Sequence, residues 1–291
     1  MVDNNQSPIF VGGTGRSGST IVGHLLDHHP RVTLTRPMEV RFITGNDGFI
    51  DALVKADSKR AKKAAELAVD RLLNRWFERA ENVGLHTSMS REFVENAATA
   101  YLAEFHEHPQ QATQSLVFAL MEQVAQGCGA HRWVDTTPAN ARKADRLELI
   151  YPHSRVIVVT RDGRDVAASF VHQNFGPSDV FAAIELWESR MIKSHNAALK
   201  ASPGHVLTIE LFDLVEANRD LTVNRILDHL DLEPSSEMLE WFNSTVTTQG
   251  SHAGRWRRDF DDRTAAAIDE CYAAACERLK AQGIEIPASG E

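Results

Sequence analysis

A loop rich in glycine and hydroxyl side chains follows the first apolar stretch of the chain. Residues 9–22 read IFVGGTGRSGSTIV, the pattern of a short strand, a tight loop and a helix that begins near Thr20. Such a loop turns backbone N–H groups and the positive end of the helix dipole into one concavity, which binds an anion, most often a phosphate. Arg16 adds a guanidinium group that can bind two anionic oxygens at once. The predicted anion-binding residues are Arg16, Ser17, Gly18, Ser19 and Thr20.

This loop departs at one position from the phosphate loop of nucleoside triphosphatases. The spacing from Gly13 to Gly18 matches G-x-x-x-x-G-K-[ST], but Ser19 stands where that pattern has lysine. In triphosphatases that lysine reaches the terminal phosphates, and the next hydroxyl holds magnesium. The cation here is Arg16 instead, which favours an anionic group bound without a metal ion. A phosphate-loop kinase or triphosphatase is the alternative, and magnesium-dependent ATP turnover would support it.

A second segment has the residues for a second phosphate. Residues 155–170 read RVIVVTRDGRDVAASF, which predicts a buried parallel strand, a turn and a helix. Arg161 ends the strand and Ser169 follows eight residues later, about two helical turns on, so the two side chains can converge on one phosphate at the carboxyl edge of the sheet. For Arg164 and Asp165 we expect a charged pair in solvent rather than a binding role.

Together these segments resemble the sulfotransferases that use 3′-phosphoadenosine 5′-phosphosulfate (PAPS). Residues 16–20, RSGST, are similar to the loop that binds the 5′-phosphosulfate, closest to the PRSGTT form of protein-tyrosine and many bacterial members. Residues 155–170 resemble the 3′-phosphate motif, with Arg161 and Ser169 on the two positions that hold the phosphate. Residues 250–260, GSHAGRWRRDF, resemble a late loop that folds over the nucleotide. That last likeness implies three further candidates for the 3′-phosphate, which are Ser251, Arg255 and Arg257.

The resemblance also implies a fold, a reaction and a base. The fold is a phosphate-loop-like parallel sheet of about four to five strands with helices on both faces, in one α/β domain over residues 1–291. The reaction is an in-line, metal-independent transfer of the sulfuryl group from PAPS to a hydroxyl or amine, which releases adenosine 3′,5′-bisphosphate. Glu39 would take the acceptor's proton, with Arg41 beside it, and Arg16 would stabilise the leaving phosphate. The other interpretation of Glu39 and Arg41 is a surface ion pair on a loop.

Two positions differ from the family pattern. Many members have Asp-Lys-Thr-Pro where this chain has Asp135-Thr136-Thr137-Pro138, so the lysine that stabilises the moving sulfuryl group is missing. Either Thr136 with a water or Arg16 alone would replace it. A tyrosine near the adenine is also missing, and Leu211 or Phe212 could supply an apolar surface there. These losses leave a third interpretation open, a nucleotide-binding module without transfer activity.

Composition restricts the partners and the compartment. The chain has 291 residues and a formal net charge of −9, which argues against a nucleic-acid surface and an anionic membrane. We expect a small-molecule, lipid or natural-product acceptor. The sequence shows no signal peptide and no apolar run of membrane-spanning length, and its three cysteines are too scattered for a disulfide framework, so we expect a cytoplasmic protein.

The remaining segments are predicted to be mainly helical. Residues 45–130 resemble the helical insertion that shapes the acceptor pocket in the family, with helices over residues 59–80, 91–106 and 114–126. Further helices are predicted over residues 140–150, 178–200, 221–230, 236–242 and 265–282, and a strand begins near His205. His24, His28 and His29 lack acidic or cysteine partners at ligand spacing, so we expect them to have structural or solvated roles.

Overall fold

Parallel strands form the centre of the molecule in this computed structural model, which describes residues 7–80, 83–125, 132–248 and 252–289. The described sheet has five strands in the order β2-β3-β1-β4-β5. All neighbouring pairs are parallel, and Ile9 pairs with Val134 on one side and Arg155 on the other. The strands are β1 (Ile9–Gly13), β2 (Val32–Leu34), β3 (Arg132–Asp135), β4 (Arg155–Thr160) and β5 (Val206–Glu210).

Helices connect the strands and cover the sheet. They are α1 (Ser19–Asp27), α2 (Phe49–Val54), α3 (Ala61–Arg71), α4 (Arg91–Glu104), α5 (Pro109–Ala125), α6 (Ala144–Leu147), α7 (Gly163–Val171), α8 (Val180–Lys200), α9 (Arg219–Leu230), α10 (Ser236–Thr245), α11 (Trp256–Asp259) and α12 (Asp262–Lys280). Two π-helical turns, Leu72–Trp76 and Asp213–Ala217, and two 3-10 turns, Leu85–Thr87 and Pro138–Lys143, complete the described helical structure.

Apolar residues of each central strand point to alternate faces of the sheet. Ile9 and Val11 of β1 pack with the apolar residues of α1, α9 and α10 on one face. Phe10, between them, packs on the other face with the helices of the insertion. β4 alternates in the same way, since Val156 and Val158 face the insertion while Ile157 and Val159 face α1 and α9. Because both faces are covered, the strand sequences are almost continuously apolar.

A third apolar cluster joins α7, α8, α11 and α12 beside the sheet. Trp187 of α8 is fully buried in it and donates through Nε1 to the carbonyl of Arg161, 3.1 Å away. A Cβ at Gly163 would lie 2.6 Å from the Trp187 ring, so only glycine allows the start of α7 to approach α8 this closely. The side chain of Asp162 accepts from the N–H of Arg164 at 2.8 Å and caps α7.

The predicted parallel sheet with helices on both faces is confirmed. The insertion between β2 and β3 contains α2 to α5, as expected from its helical periodicity. One predicted element differs: residues 140–150 form a 3-10 turn followed by the short α6 rather than one helix. This turn lies directly against β1, since the backbone N of Ala141 would lie 2.3 Å from a Cβ at Gly12.

Among the described residues, no helix has the length and apolar character needed to cross a membrane.

Candidate active site

The loop between β1 and α1 has the backbone of an anion-binding site. Gly15, Arg16 and Gly18 have φ angles of 80°, 57° and 98°, which turn successive peptide groups toward one side. The N–H groups of residues 15–18 donate no hydrogen bond to another described residue. A Cβ at Gly18 would also lie 2.5 Å from Leu211 Cδ1, so this position needs glycine for two reasons. The unpaired N–H groups suit a bound phosphate.

Arg16, Arg161 and Ser169 meet at one end of this loop. Arg16 donates through Nε to Ser169 Oγ at 2.9 Å, across 153 residues of sequence. Arg161 donates through Nη1 to the backbone carbonyl of Arg16 at 3.2 Å. The two arginines proposed to hold opposite ends of one nucleotide are therefore neighbours, and Ser169 on α7 lies beside them.

Asp165 connects Arg161 to the segment that follows residue 251. Its carboxylate lies 3.6 Å from Arg161 Nη2 and accepts from the backbone N–H groups of Gly254, at 3.0 Å, and Trp256, at 3.4 Å. Arg161 also donates to the carbonyl of His252 at 3.1 Å. Burial raises the pKa of Asp165, while Arg161 and these N–H groups oppose the shift. The carboxylate thus fixes both the guanidinium and the late loop.

The expectation that Arg164 and Asp165 pair in solvent is wrong. Arg164 is 7% exposed and Asp165 is 3% exposed. Arg164 bonds Asp162 and Asp269 and lies between two aromatic rings, 4.6 Å from the centroid of Trp256 and 4.5 Å from that of Tyr272. The periodicity of α7 alone could not show this, because the partners belong to α11 and α12.

Glu39 lies at the cavity on a segment that Asp135 holds in place. The N–H of Val40 donates to Asp135 Oδ1 at 3.1 Å, and the N–H of Arg41 donates to Thr137 Oγ1 at 3.3 Å. Asp135 is fully buried, which raises its pKa, and hydrogen bonds from Asn140 and Thr137 oppose that shift. The Glu39 carboxylate accepts from Arg41 Nε at 3.2 Å and remains partly exposed.

One cavity of about 450 Å³ contains the loop, Glu39 and most of the predicted binding residues. The residues singled out from the sequence that line this cavity are Arg16, Gly18, Ser19, Thr20, Glu39, Arg41, Arg161, Ser169 and Leu211. Leu211, which stands where many members have the tyrosine, lines the cavity. Thr136 is not a lining residue, since it is buried with its methyl group toward Gly23 of α1.

Four predicted residues lie outside this cavity or outside the described chain. Ser17 is fully buried and does not line the cavity, and its hydroxyl lies 2.3 Å from where a Cβ at Gly13 would be. Arg255 pairs with Asp259 at 2.8 Å, and its charge acts on Arg161. Arg257 is exposed and stacks on Trp256. Ser251 lies outside the described residues.

The cavity also contains cations that the motif pattern did not predict, on Arg75, Arg142 and Arg190. Arg142 belongs to the 3-10 turn after Pro138, and Arg190 projects from α8, where its Nη1 donates to the carbonyl of Thr14 at 2.5 Å. One sequence signal was available: Arg190 lies next to the buried stripe of Trp187 and Met191, where a solvated cation is unusual.

Comparisons with known proteins identify relatives of this chain. The chain is 23% identical over 249 residues to a putative protein-tyrosine sulfotransferase of Caenorhabditis briggsae, and the match covers 82% of this chain and 70% of that protein. It is also 23% identical over 248 residues to an uncharacterized protein of Aquifex aeolicus (strain VF5), where the match covers 82% of this chain and 27% of the Aquifex protein. The chain therefore spans only a minor part of that second relative.

The fold is similar to that of the sulfotransferase STF9 from Mycobacterium avium. The TM-score is 0.52 at 16% sequence identity, over 97% of this chain and 78% of that one. At this low sequence identity, the similarity to STF9 shows a shared fold and nothing more. The sequence model of the sulfotransferase family matches residues 8–237, a range that includes the loop, Glu39, Arg161 and Ser169. The chain therefore belongs to the sulfotransferase family.

Proposed function

We propose that this protein transfers a sulfuryl group from PAPS to a hydroxyl or amine of a small-molecule, lipid or natural-product acceptor. One observation carries the proposal: Arg16 and Arg161, from strand ends far apart in sequence, meet beside Ser169 at the mouth of a glycine-rich loop. A donor with phosphate at both its 5′ and 3′ positions needs cationic groups that converge from two such sites.

The donor end of the cavity fits two anionic groups. The unpaired N–H groups of residues 15–18 and the start of α1 would bind the 5′-phosphate. Arg16 would hold the oxygen that bridges phosphorus and sulfur and stabilise the charge that develops there. Arg161 and Ser169 would bind the 3′-phosphate, which ATP lacks, and so select PAPS over ATP. Ser19, 5% exposed, stands where a triphosphatase has its lysine.

In the reaction, one sulfur–oxygen bond breaks as another forms. PAPS supplies the activated sulfuryl group. The Glu39 carboxylate takes the proton of the acceptor hydroxyl as that oxygen bonds to sulfur, and the bisphosphate leaves with the electron pair of the broken bond. Arg41, whose Nε lies 3.2 Å from Glu39, holds this carboxylate in position. The described residues contribute positioning and charge, as in phosphoryl transfer.

The donor assignment can be tested by calorimetry with two nucleotides. Adenosine 3′,5′-bisphosphate and adenosine 5′-monophosphate differ only in the 3′-phosphate. We expect Arg161→Ala to weaken binding of the bisphosphate by about 1 to 3 kcal/mol, because a charge-assisted contact to the 3′-phosphate is lost. Binding of the monophosphate should be nearly unchanged. The monophosphate also reports whether the variant has folded.

An equal loss for both nucleotides would contradict the 3′-phosphate assignment. Transfer itself is measured with PAPS labelled at sulfur and a panel of hydroxylated and aminated compounds. Tight bisphosphate binding without transfer to any of them would support the binding-module interpretation instead. Magnesium-dependent hydrolysis of ATP would support the triphosphatase.

A further inference from the structure

The cavity has a second group of cations away from Arg16 and Arg161. Arg142 and Arg190 lie where β1 enters the loop, and Arg190 Nη1 is bonded to the carbonyl of Thr14. The Arg190 guanidinium also lies 5.6 Å from the centroid of the Phe170 ring. Arg75 adds an exposed cation at the rim of the same cavity.

Arg142 and Arg190 form a second positive region of the cavity, beside the loop. A Cβ at Gly15 would lie 3.0 Å from Arg190 Nη1. Burial and the charge of Arg142 together lower the pKa of Arg190 to about 10, so these two cations act on each other. This positive charge adds to that of Arg16 and Arg161.

Among the described residues, no carboxylate pairs directly with the second region. Among the described residues that line the cavity, Glu39 is the only acid, and it is paired with Arg41. No carboxylate of the described chain lies within 4.0 Å of a nitrogen of Arg75, Arg142 or Arg190. By contrast, Arg161 has Asp165 as a partner.

Arg142 is the clearest example of a cation in the second region that lacks a partner among the described residues. Its Nη1 is buried and has no hydrogen-bond partner among the described residues, and burial lowers its pKa while the more distant Asp51 opposes the shift. Taking a charged donor out of water without a partner is costly, so such groups mark a site where a ligand supplies the missing acceptor.

We propose that the acceptor carries an oxyanion, a carboxylate or phosphate, that binds Arg142 and Arg190, and an apolar body that packs on Phe170 and Phe175. This rests on the proposed sulfuryl transfer, since it identifies the class of molecule that fills the rest of the cavity. Phe175 is 55% exposed and its ring is perpendicular to that of Phe170, at a centroid distance of 6.5 Å. The cavity of about 450 Å³ limits the acceptor to a small molecule.

Four phenols of one size test the charge preference. They are para-hydroxyphenylacetate, para-hydroxybenzylphosphonate, the neutral para-hydroxyphenylacetamide and the cationic tyramine. For each, binding to the complex of the protein with adenosine 3′,5′-bisphosphate is measured by calorimetry, and kcat/KM is measured with labelled PAPS. We expect the two anions to bind roughly 10- to 100-fold more tightly than the amide, and tyramine to bind more weakly still.

The variant Arg142→Gln tests whether the second region causes the preference for anionic phenols. Because Arg142 has no partner in the described chain, its replacement breaks no ion pair, and we expect an unchanged or higher Tm. The anions should lose their advantage over the amide, while the affinity for adenosine 3′,5′-bisphosphate stays within about twofold. Arg263→Gln removes the same charge from the exposed first turn of α12 and should leave the preference intact.

The affinities of the phosphonate and the carboxylate show which oxyanion binds more tightly. Equal binding of all four phenols, no binding by either anion, or a preference that survives in Arg142→Gln would overturn the proposal. These outcomes are distinct from failure of sulfuryl transfer, since transfer to the amide or amine alone would refute the anionic acceptor and keep the enzyme. Anion binding without transfer to any phenol would keep the subsite and refute the enzyme.

Discussion

Arginine side chains lie at both ends of the parallel strands, but they have different partners at the two ends. At the amino end, Arg132 Nε donates to the carbonyl of Ser7 at 2.7 Å and Nη1 donates to the carbonyl of Leu230. Arg155 donates to the carbonyl of His229 at 3.3 Å. Both bind the last carbonyls of α9, which have no partner within the helix.

At the carboxyl end the guanidinium groups face a cavity. Arg142 Nη1 is buried without a partner among the described residues, and Arg16 bonds a serine hydroxyl at the mouth of a loop whose N–H groups are free of described partners. Arg161 at this edge bonds the carbonyls of Arg16 and His252, so having partners does not by itself make an arginine structural. What differs between the two edges is the presence of unpaired donors beside a cavity.

The largest expected effect belongs to the carboxyl end. Glu39→Gln keeps the size of the side chain but removes the base, so we expect turnover to fall by about 10²- to 10⁴-fold. Affinity for adenosine 3′,5′-bisphosphate and the free energy of unfolding should be nearly unchanged, because Glu39 is partly exposed and lies on a loop. Transfer assays and calorimetry on one preparation check this. Unaffected turnover would show that a residue other than Glu39 is the base.

Arg132→Met should show the reverse behaviour at the amino end. The side chain is 4% exposed, and its loss leaves the carbonyls of Ser7 and Leu230 without their donor. We expect the free energy of unfolding to fall by roughly 2 to 4 kcal/mol, with unchanged affinity for the bisphosphate. Denaturant titration measures the first quantity and calorimetry the second. A selective loss of nucleotide affinity would contradict the division between the edges.

A smaller effect is expected from His229, which lies beside these arginines. Burial and the charge of Arg155 lower its pKa from 6.5 to about 4, although the hydrogen bond to the carbonyl of Val156 opposes the shift. The folded state therefore prefers the neutral ring. Its contribution to stability is complete above about pH 6.5 and is lost as the pH falls toward 4.

We therefore expect the free energy of unfolding to decrease by about 1 to 3 kcal/mol across that pH range. Denaturant titrations at several pH values measure it. His229→Gln should make the dependence less steep, and His28→Gln, at a ring that is not at this edge, serves as the control. An identical slope in the His229 variant would show that other groups cause it.

Local patterns in the sequence predicted which residues meet at the glycine loop. The strand, glycine loop and helix around Arg16 are adjacent in the chain, and Arg161 and Ser169 are separated by a simple helical spacing. Their convergence follows from parallel strands that end at one edge of the sheet. The cofactor residues and Glu39 stay proposals, whereas the parallel sheet that positions them is confirmed.

The acceptor side was less accessible to such reasoning. Arg142 and Arg190 come from a 3-10 turn and a helix that only the tertiary fold brings together, and no short motif contains both. Thr136, one of the two residues considered in place of the missing lysine, does not line the cavity, and its methyl group lies against Gly23 of α1. Solvation of Arg164 and Asp165 was also mispredicted, since their partners lie about a hundred residues away.

The contact of Gly12 with Ala141 has a consequence for how this scaffold can change. Since the strand that leads into the loop and the turn that carries Arg142 touch through their backbones, neither can shift without the other. Exchange of side chains on this fixed backbone can then change which proposed acceptor binds. The geometry of the proposed donor site stays the same. A single added methyl group at position 12 would disturb both ends of the cavity together.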